Sequence, residues 1–376
     1  MTRATKTSLA LAALAALGAS GAALLPTARP ARADEAADSL AKYRDTVDAG
    51  VDRALAWLAQ QQHKEGYWPS GMGKTPAVAS LAVMAFLAKG YTPGTGPYGQ
   101  HIDRGIDFVL SCQRPNGLIV GGKTHGAMYI HGMCTLMLSE VSGMVDPERQ
   151  KRIDKALPHA VRLILTAQQV KKPDRYRGGW RYQPTSTDSD ISLTGWQLMA
   201  LRSARNNGAQ VPKKAIEDAV GFVLRCRAEK WTNPKTKKSI TPKPGTGVGF
   251  AYQPGGAPGL ARTSVALLCL ELCGRHRCKE AVAAGDWVLR HRPTQFGSGY
   301  FYYALYYASQ GMFQLGGRHW EQFAPHMYEM MLKFQAKDGS WPQGSGGEAA
   351  AGKCYSTAMG VLAMAVSYRQ LPIYQR

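Results

Sequence analysis

The sequence predicts an all-α protein that folds as an (α/α)6 toroid, a closed ring of six helical hairpins with six inner helices and six outer ones. Three observations lead to this prediction. A helical ending followed by a glycine turn recurs six times, amphipathic helices alternate with nearly all-apolar ones, and the first and sixth units are as apolar as the others. No alternating run is long enough to indicate a major sheet.

The first helix of each unit is amphipathic and ends in a similar heptapeptide. The six endings are AWLAQQQ to Gln62, DFVLSCQ to Gln113, RLILTAQ to Gln168, GFVLRCR to Arg227, DWVLRHR to Arg292 and EMMLKFQ to Gln335. The turns that follow are KEGYWP, RPNGLI, RGGWRYQP, GVGFAYQP, FGSGYFYY and KDGSWP. Glycine suits a left-handed residue after a helix, and the aromatic residue after it can wedge between neighbouring hairpins.

The second helix of each unit is richer in apolar and small residues, which predicts burial on most sides. The six segments are AVASLAVMAFLAKG, HGAMYIHGMCTLMLSEVSG, SDISLTGWQLMALRSARNNG, LARTSVALLCLELCG, YYALYYASQGMFQLGG and YSTAMGVLAMAVSYR. An open array of such hairpins needs polar capping units at both ends. Because none is present, the ring is expected to close around a central cavity.

The amino terminus has the layout of a secretory signal. Residues 1–33 contain a basic start, an Ala/Leu run and a small-residue exit at Ala31-Arg32-Ala33. We therefore expect cleavage after Ala33, a single toroid domain over residues 34–376, and an exported protein in the periplasm or outside the cell.

The chain is strongly basic, with a formal net charge of +20. This excess favours an anionic membrane surface or an acidic polysaccharide as a partner. Nucleic acid is not expected, because the positive residues are dispersed and no binding motif accompanies them. A lysine cluster at residues 230–243 is typical of a solvated loop.

Seven cysteines are present. Five lie within apolar helical patterns and are expected to be core residues. Cys273 and Cys278 flank a short turn, where a disulfide or two free thiols are both open alternatives. Their spacing matches no zinc pattern, and no nucleotide fingerprint occurs, so neither a metal nor a cofactor is expected.

The repeat ends, such as Gln62…Gly66-Tyr67-Trp68 and Gln335…Gly339-Ser340-Trp341, resemble those of squalene-hopene cyclases, oxidosqualene cyclases and protein prenyltransferase β subunits. The chain looks most like the exported single-domain bacterial proteins known as prenyltransferase and squalene oxidase repeat proteins, within the terpene cyclase/mutase superfamily. The resemblance covers the mature chain and implies the toroid. The prenyltransferase zinc element Asp-x-Cys is absent at Cys354, which excludes that branch.

The segment Asp188-Ser189-Asp190-Ile191 matches two of the three aspartates in the Asp-x-Asp-Asp motif of class II terpene cyclases. The resemblance implies that Asp190 is the acid that protonates an alkene and that Asp188 is its hydrogen-bonding partner. Ile191 replaces the third aspartate. The alternative is that Thr187, Asp188 or Asp190 caps the helix that begins here.

Further candidate residues lie on the inner helices. His131 is expected either to be a hydrogen-bonded core residue or to orient Asp190 from the adjacent helix. The aromatic stretch at the start of the fifth inner helix is expected to place one face on the cavity, together with two residues of the third inner helix. The pocket candidates are Tyr300, Tyr302, Tyr303, Tyr306, Tyr307, Trp196 and Gln197.

Two classes of function follow. The first is a class II terpene cyclase/mutase-like enzyme acting on an isoprenoid or another hydrophobic or amphipathic small molecule. The second is a non-catalytic binding or scaffold protein for a lipid, a glycan or a protein. A polysaccharide lyase or hydrolase is a third alternative, in which the paired carboxylates act on a sugar.

Overall fold

The computed structural model describes residues 40–121, 126–232 and 236–375. Within them the chain forms twelve principal α-helices and one two-stranded hairpin. The outer helices are α1 (Arg44–Gln61), α3 (Gly99–Ser111), α5 (Pro147–Gln169), α7 (Lys213–Arg225), α9 (Lys279–Arg290) and α11 (Arg318–Phe334). The inner helices are α2 (Pro76–Ala88), α4 (Ala127–Val141), α6 (Ile191–Asn206), α8 (Leu260–Leu272), α10 (Phe301–Leu315) and α12 (Gly352–Met364). Strands β1 (Trp231–Thr232) and β2 (Ser239–Ile240) pair antiparallel.

The inner helices close into a ring. Each contacts the next along the chain, and the last, α12, packs against the first, α2. The outer helix α11 likewise contacts α1. The inner helix α2 is buried along its whole length, whereas the outer helix α3 buries only one face. The predicted all-α toroid of six hairpins is therefore confirmed.

In four of the six units the repeated glutamine joins one hairpin to the next. The side-chain amide of Gln62 donates to the carbonyl of Gly66 in its own turn and to that of His101 on α3. Gln113 and Gln168 make the equivalent pairs of bonds. Gln335 closes the ring, because it reaches Gly339 in its own turn and Gly50 on α1.

Aromatic side chains fill the centre of the ring. Trp196 on α6 stacks on Tyr306 of α10 with ring centroids 5.7 Å apart, and it meets Tyr307 edge-on at 5.5 Å. All three side chains are buried. Because α8 lies between α6 and α10 in the ring, these contacts cross the interior. The expected central cavity is thus occupied here by the toroid's own side chains.

The two ends of the toroid differ. The loops that enter the inner helices surround one end, which we call the mouth. At the opposite end the carboxyl-terminal turn Pro372–Tyr374 covers the interior. The Ile373 amide donates to buried Glu140, and the Tyr374 and Tyr306 hydroxyls are 2.7 Å apart.

Three sequence features bear on assignments made above. The predicted signal segment, residues 1–33, lies outside the described residues. The segment Gly346–Tyr368 has the length and apolar composition of a membrane span, but it is mostly buried and contains inner helix α12. Cys273 and Cys278 both carry free thiols.

Candidate functional site at the toroid mouth

Two consecutive mouth loops share the pattern aromatic-x-Tyr-Gln-Pro, as Trp180-Arg-Tyr-Gln-Pro and Phe250-Ala-Tyr-Gln-Pro. Each loop folds back on the start of an inner helix. The Asp190 amide donates to the Trp180 carbonyl over 2.9 Å, and the Ile191 amide donates to the Tyr252 carbonyl over 3.0 Å. The two copies of the pattern are thereby brought side by side around the beginning of α6.

Asp190 is the N-cap of α6. Its Oδ1 accepts from the Leu193 amide over 2.9 Å, while its Oδ2 accepts from the Tyr252 hydroxyl over 2.9 Å. The side chain is fully buried. Burial raises the pKa of Asp190 to about 6, although the Leu193 amide, the Tyr252 hydroxyl and the Arg181 guanidinium all act to lower it. The geometry therefore gives Asp190 the capping role set out as the alternative above.

Arg181 links the two aspartates. Its Nη1 lies 3.1 Å from Asp188 Oδ2, and its Nε lies 3.4 Å from Asp190 Oδ2. The direct Asp188–Asp190 hydrogen bond implied by the cyclase motif is thus replaced by a shared cation. Asp188 is 41% exposed and also accepts from the Gln253 amide at 3.2 Å. One buried and one accessible carboxylate thus share a single guanidinium.

A chain of hydroxyl groups leads outward from Asp190. The Tyr182 and Tyr252 hydroxyls are 2.8 Å apart, and Tyr252 donates onward to Asp190. Arg181 lies over both phenol rings, 4.7 Å from the Tyr182 centroid and 5.3 Å from that of Tyr252. Both tyrosines are only partly buried, so this chain connects the buried acid with the accessible surface of the mouth.

His131 was expected either to be a hydrogen-bonded core residue or to orient Asp190. The structure shows the first role, because both ring nitrogens bond to main-chain groups and neither contacts Asp190. Its Nδ1 accepts from the Ile119 amide over 3.1 Å, and its Nε2 lies 3.1 Å from the Ala160 carbonyl. Burial lowers the pKa of His131 to about 4, so the ring is neutral at pH 7. Thr194, Thr263 and Thr357 accept the matching turn amide in three other units. His131 therefore performs a repeated structural task.

The aromatic candidates divide into three groups. Tyr303, Tyr306 and Tyr307 surround Trp196 in the interior. Tyr302 is buried against the last mouth loop, where its hydroxyl donates to the Pro342 carbonyl. Tyr300 precedes α10 and is 60% exposed. The remaining pocket candidate, Gln197, donates to the Met128 carbonyl on α4 and so joins two inner helices.

A second buried carboxylate lies across the mouth and was not expected from the sequence. Glu348 accepts from the Tyr302 and Tyr303 amides at the start of α10 and from the Tyr355 hydroxyl. Burial raises the pKa of Glu348. No local motif marks it, whereas the doubled Tyr-Gln-Pro pattern was a readable signal for Tyr182, Tyr252 and Gln253.

No metal centre is evident among residues 40–121, 126–232 and 236–375, which contain no group of three or more His, Cys, Asp and Glu side chains suited to a metal ion. The mouth instead offers carboxylates, a guanidinium, an amide and phenols. These groups can form directed hydrogen bonds with a polar ligand and move a proton between a buried and an exposed oxygen.

Comparison with known proteins identifies the fold and no family. No family model matches the chain, and no curated protein matches it. Among solved structures, an inactive variant of an α-1,6-mannanase of glycoside hydrolase family 76 from Salegentibacter sp. HEL1_6, in complex with α-1,6-mannotriose, aligns with a TM-score of 0.54 at 9% identity, over 86% of this chain and 99% of that one.

Two further structures extend the comparison. A family 76 glycoside hydrolase from a bovine Bacteroides thetaiotaomicron strain aligns with a TM-score of 0.56 at 10% identity, over 85% of this chain and 77% of that one. The type II terpene cyclase MstE from Scytonema covers 87% of this chain and 99% of its own length at 13% identity, but its TM-score is 0.37. The chain therefore shares the α/α toroid fold with the family 76 enzymes at identities that establish fold alone.

Proposed function

We propose that this protein is a carbohydrate-active toroid that binds a glycan at the mouth and hydrolyses a glycosidic bond there. The observation that carries the proposal is the arrangement of Asp188 and Asp190 around Arg181. One carboxylate is accessible and the other is buried with its pKa raised to about 6. Two carboxyl groups in unlike environments are what acid–base cleavage of a glycosidic bond requires.

The accessible groups of the mouth suit a sugar. Tyr182 and Tyr252 present partly exposed phenols, while Arg181, Asp188 and Gln253 present donors and an acceptor in fixed positions. Aromatic faces combined with a few oriented polar groups are the usual composition of a small-molecule site. The mannanase and hydrolase with the same fold act on glycans, which supports this choice without establishing it.

The reaction would use Asp188 as the base and the protonated form of Asp190 as the proton source; in that form the hydrogen bond between Asp190 and Tyr252 runs from the carboxyl group to the phenol oxygen. Asp188 accepts a proton from water as the water oxygen attacks the anomeric carbon. The leaving oxygen takes a proton from the Tyr182 hydroxyl, which is replenished through Tyr252 from Asp190. Return of the proton from Asp188 to Asp190 restores the starting state. The net change is the addition of one water molecule across one glycosidic bond.

The test is incubation of the purified protein with a panel of defined oligosaccharides, α-mannans included, followed by measurement of new reducing ends. Hydrolysis is expected, with loss of about 10²-fold or more in Asp188→Asn. Tyr252→Phe should slow hydrolysis while leaving glycan affinity within a small factor. Binding without any hydrolysis would reduce the proposal to a binding protein, and absence of both would eliminate it.

A second candidate is proton-initiated cyclisation of an isoprenoid, with Asp190 as the acid. The raised pKa of Asp190 favours it, because a carboxyl group that retains its proton near neutrality can donate it to an alkene. The packing of Trp196 against Tyr306 and Tyr307 counts against it, since these side chains fill the interior that a long hydrocarbon would occupy. Incubation with squalene and shorter polyprenyl compounds, with analysis for rearranged products, separates the two candidates.

A further inference from the structure

The mouth is basic on one side. The described residues of the loops at 170–190 and 226–259, the second without 233–235, hold ten Lys and Arg residues against four Asp and Glu, whereas the loop at 335–351 holds one basic and two acidic residues. We call the first two loops the basic loops. They are also the loops that carry Arg181, Asp188 and Tyr252. Positive charge is therefore concentrated beside the candidate site rather than spread evenly around the ring.

Two of these cations, Arg181 and Arg227, have buried N–H groups that make no directed hydrogen bond within the described chain. Although Arg181 Nε and Nη1 lie within 3.4 Å of the two aspartates, neither N–H makes a directed hydrogen bond with an acceptor. Both nitrogens are buried from solvent. These two nitrogens are thus held by ion pairs with Asp188 and Asp190, which fix the guanidinium beside the accessible carboxylate at the mouth.

A second arginine departs from the repeat pattern in the same region. Arg227 occupies the place where four units have the bridging glutamine, and its Nε is buried with no acceptor among the described residues. Its Nη1 pairs with Glu229 at 2.8 Å. In this unit the Val248 amide, which donates to the Ala283 carbonyl, makes the link to the next outer helix. The side chain of Arg227 is thus released from the structural task of the glutamines.

Lys172 adds a partly buried cation near Asp188. Its Nζ donates to the carbonyls of Ala167 and Gln168 at the end of α5. Burial lowers the pKa of Lys172 to about 8, partly offset by the charge of Asp188. Further out, Lys238 and Lys243 project from the second basic loop as exposed side chains. Charge thus extends from the candidate site onto the rim.

We infer that the ligand of the mouth is an acidic glycan, whose carboxylate or sulfate groups lie against the two basic loops while a neighbouring sugar occupies the Asp188–Arg181 site. This inference rests on the proposed function. A membrane surface fits less well, because the large apolar side chains exposed in the described residues, Met144, Tyr300 and Phe334, all lie outside the basic loops. A glycan also presents several hydroxyl groups that can pair with the fixed donors and acceptors around Asp188.

The experiment compares uronate oligosaccharides with the same chains after reduction of their carboxyl groups to alcohols. Affinity is measured by calorimetry in low salt and in about 0.5 M salt, where exposed charges are strongly screened. Sulfated oligosaccharides and vesicles of anionic phospholipid are two further arms. The acidic chains should bind at least about tenfold more tightly than the reduced chains, and the difference should shrink in high salt.

Two matched double variants test whether the lysines of the basic loops are the ones that bind the acidic groups of the glycan. Lys238→Glu with Lys243→Glu should abolish the preference for acidic chains. Lys151→Glu with Lys155→Glu makes the same change in net charge on exposed positions of outer helix α5 and should leave the preference intact. Equal losses in both double variants would show a general charge effect and overturn the inference.

The remaining outcomes separate the inference from the proposed function. Equal binding of acidic and reduced chains would contradict the inference and leave the glycan proposal standing. Binding of vesicles but of no oligosaccharide would contradict both. Tight binding of sulfated chains with weak binding of uronates would support the basic loops as the recognition surface and assign the anion as sulfate.

Discussion

The Tyr252 hydroxyl donates to Asp190 Oδ2 over 2.9 Å, so a loop of the fourth repeat is fastened to the first turn of an inner helix in the third. The same carboxylate caps α6 through the Leu193 amide. One buried side chain therefore fixes the helix start, the phenol and, through Arg181, the exposed Asp188. The position of the accessible groups at the mouth depends on a residue that is itself inaccessible.

Replacement of Asp190 by alanine should destabilise the protein, whereas the same change at Asp188 should not. Asp190→Ala removes the α6 cap and leaves the Tyr252 hydroxyl and Arg181 without their acceptor, at a cost of about 2–4 kcal/mol. Asp188→Ala removes an exposed partner of Arg181 and should cost less than about 1 kcal/mol. Urea unfolding of both variants measures the difference. Similar losses at the two positions would show that the cap does not govern stability here.

Glu140 should give the protein a stability that falls as the pH rises. Its carboxyl is buried between Ser203 and the Ile373 amide, and burial raises its pKa to about 7 from an ordinary value of 4.5. The folded state therefore binds more protons than the unfolded state between these values. The contribution of Glu140 to stability should be fully present below pH 4.5 and be lost towards pH 7, by at most ~1.4 kcal/mol per pH unit.

The variant Glu140→Gln should flatten this part of the pH profile, because the amide does not titrate. Glu148→Gln, at an exposed position of α5, is the matched control and should keep the wild-type slope. The measurement is the free energy of unfolding at intervals from pH 4 to pH 8. An unchanged slope in Glu140→Gln would assign the pH dependence to other groups.

Gln335 should stabilise helix α1 more than the repeated glutamines of the other units do. Its amide bonds to Gly50 and Gly339 and thereby joins the last turn to the first helix. Gln335→Ala should cost about 1–3 kcal/mol and should increase hydrogen exchange in α1 specifically. Gln113→Ala removes the same two types of bond between adjacent hairpins and should affect α5 instead. Identical exchange patterns in the two variants would argue against ring closure through Gln335.

The fold was predictable because its signals are local and repeated. The six helix endings with their glycine turns can be found from the spacing and polarity of neighbouring residues. The absence of polar capping units at the two ends predicted that the ring closes. The site was harder, because its partners are distant in sequence. Asp190 and Tyr252 are joined by a hydrogen bond across 62 positions. Only the doubled Tyr-Gln-Pro pattern hinted at that pairing, and nothing local marked Glu348.

The interior shows a second limit of sequence reasoning. The alternation of amphipathic and nearly all-apolar helices predicted which helices face inward. It could not predict whether their aromatic side chains line a cavity or fill it. Trp196 and Tyr306 belong to helices that are not neighbours in the ring, so their stacking depends on the ring diameter. The sequence also placed His131 on the helix next to Asp190 but could not show where its ring points. Its two nitrogens bond to the Ile119 amide and the Ala160 carbonyl instead.

The glycine of the repeat turn should tolerate no side chain, and the last turn gives the sharpest test. Gly339 has a φ of +90°, and a Cβ there would lie 2.3 Å from the Arg53 carbonyl oxygen on α1. Gly339→Ala therefore combines backbone strain with a collision against main chain that cannot rotate away. We expect a loss of about 3 kcal/mol or more, or failure to fold.

Gly208 provides the control, because it has a similar φ of +85° with nothing within 4 Å of an added Cβ. Gly208→Ala should cost only the backbone term of about 1–2 kcal/mol. The difference between the two variants in thermal or urea unfolding measures the close approach of turn to helix. If both variants lose the same stability, then the positive φ angle alone explains why glycine occupies this position of the repeat turn. A larger loss at Gly339 would instead attribute the repeated shape of the turn to its contact with the neighbouring outer helix.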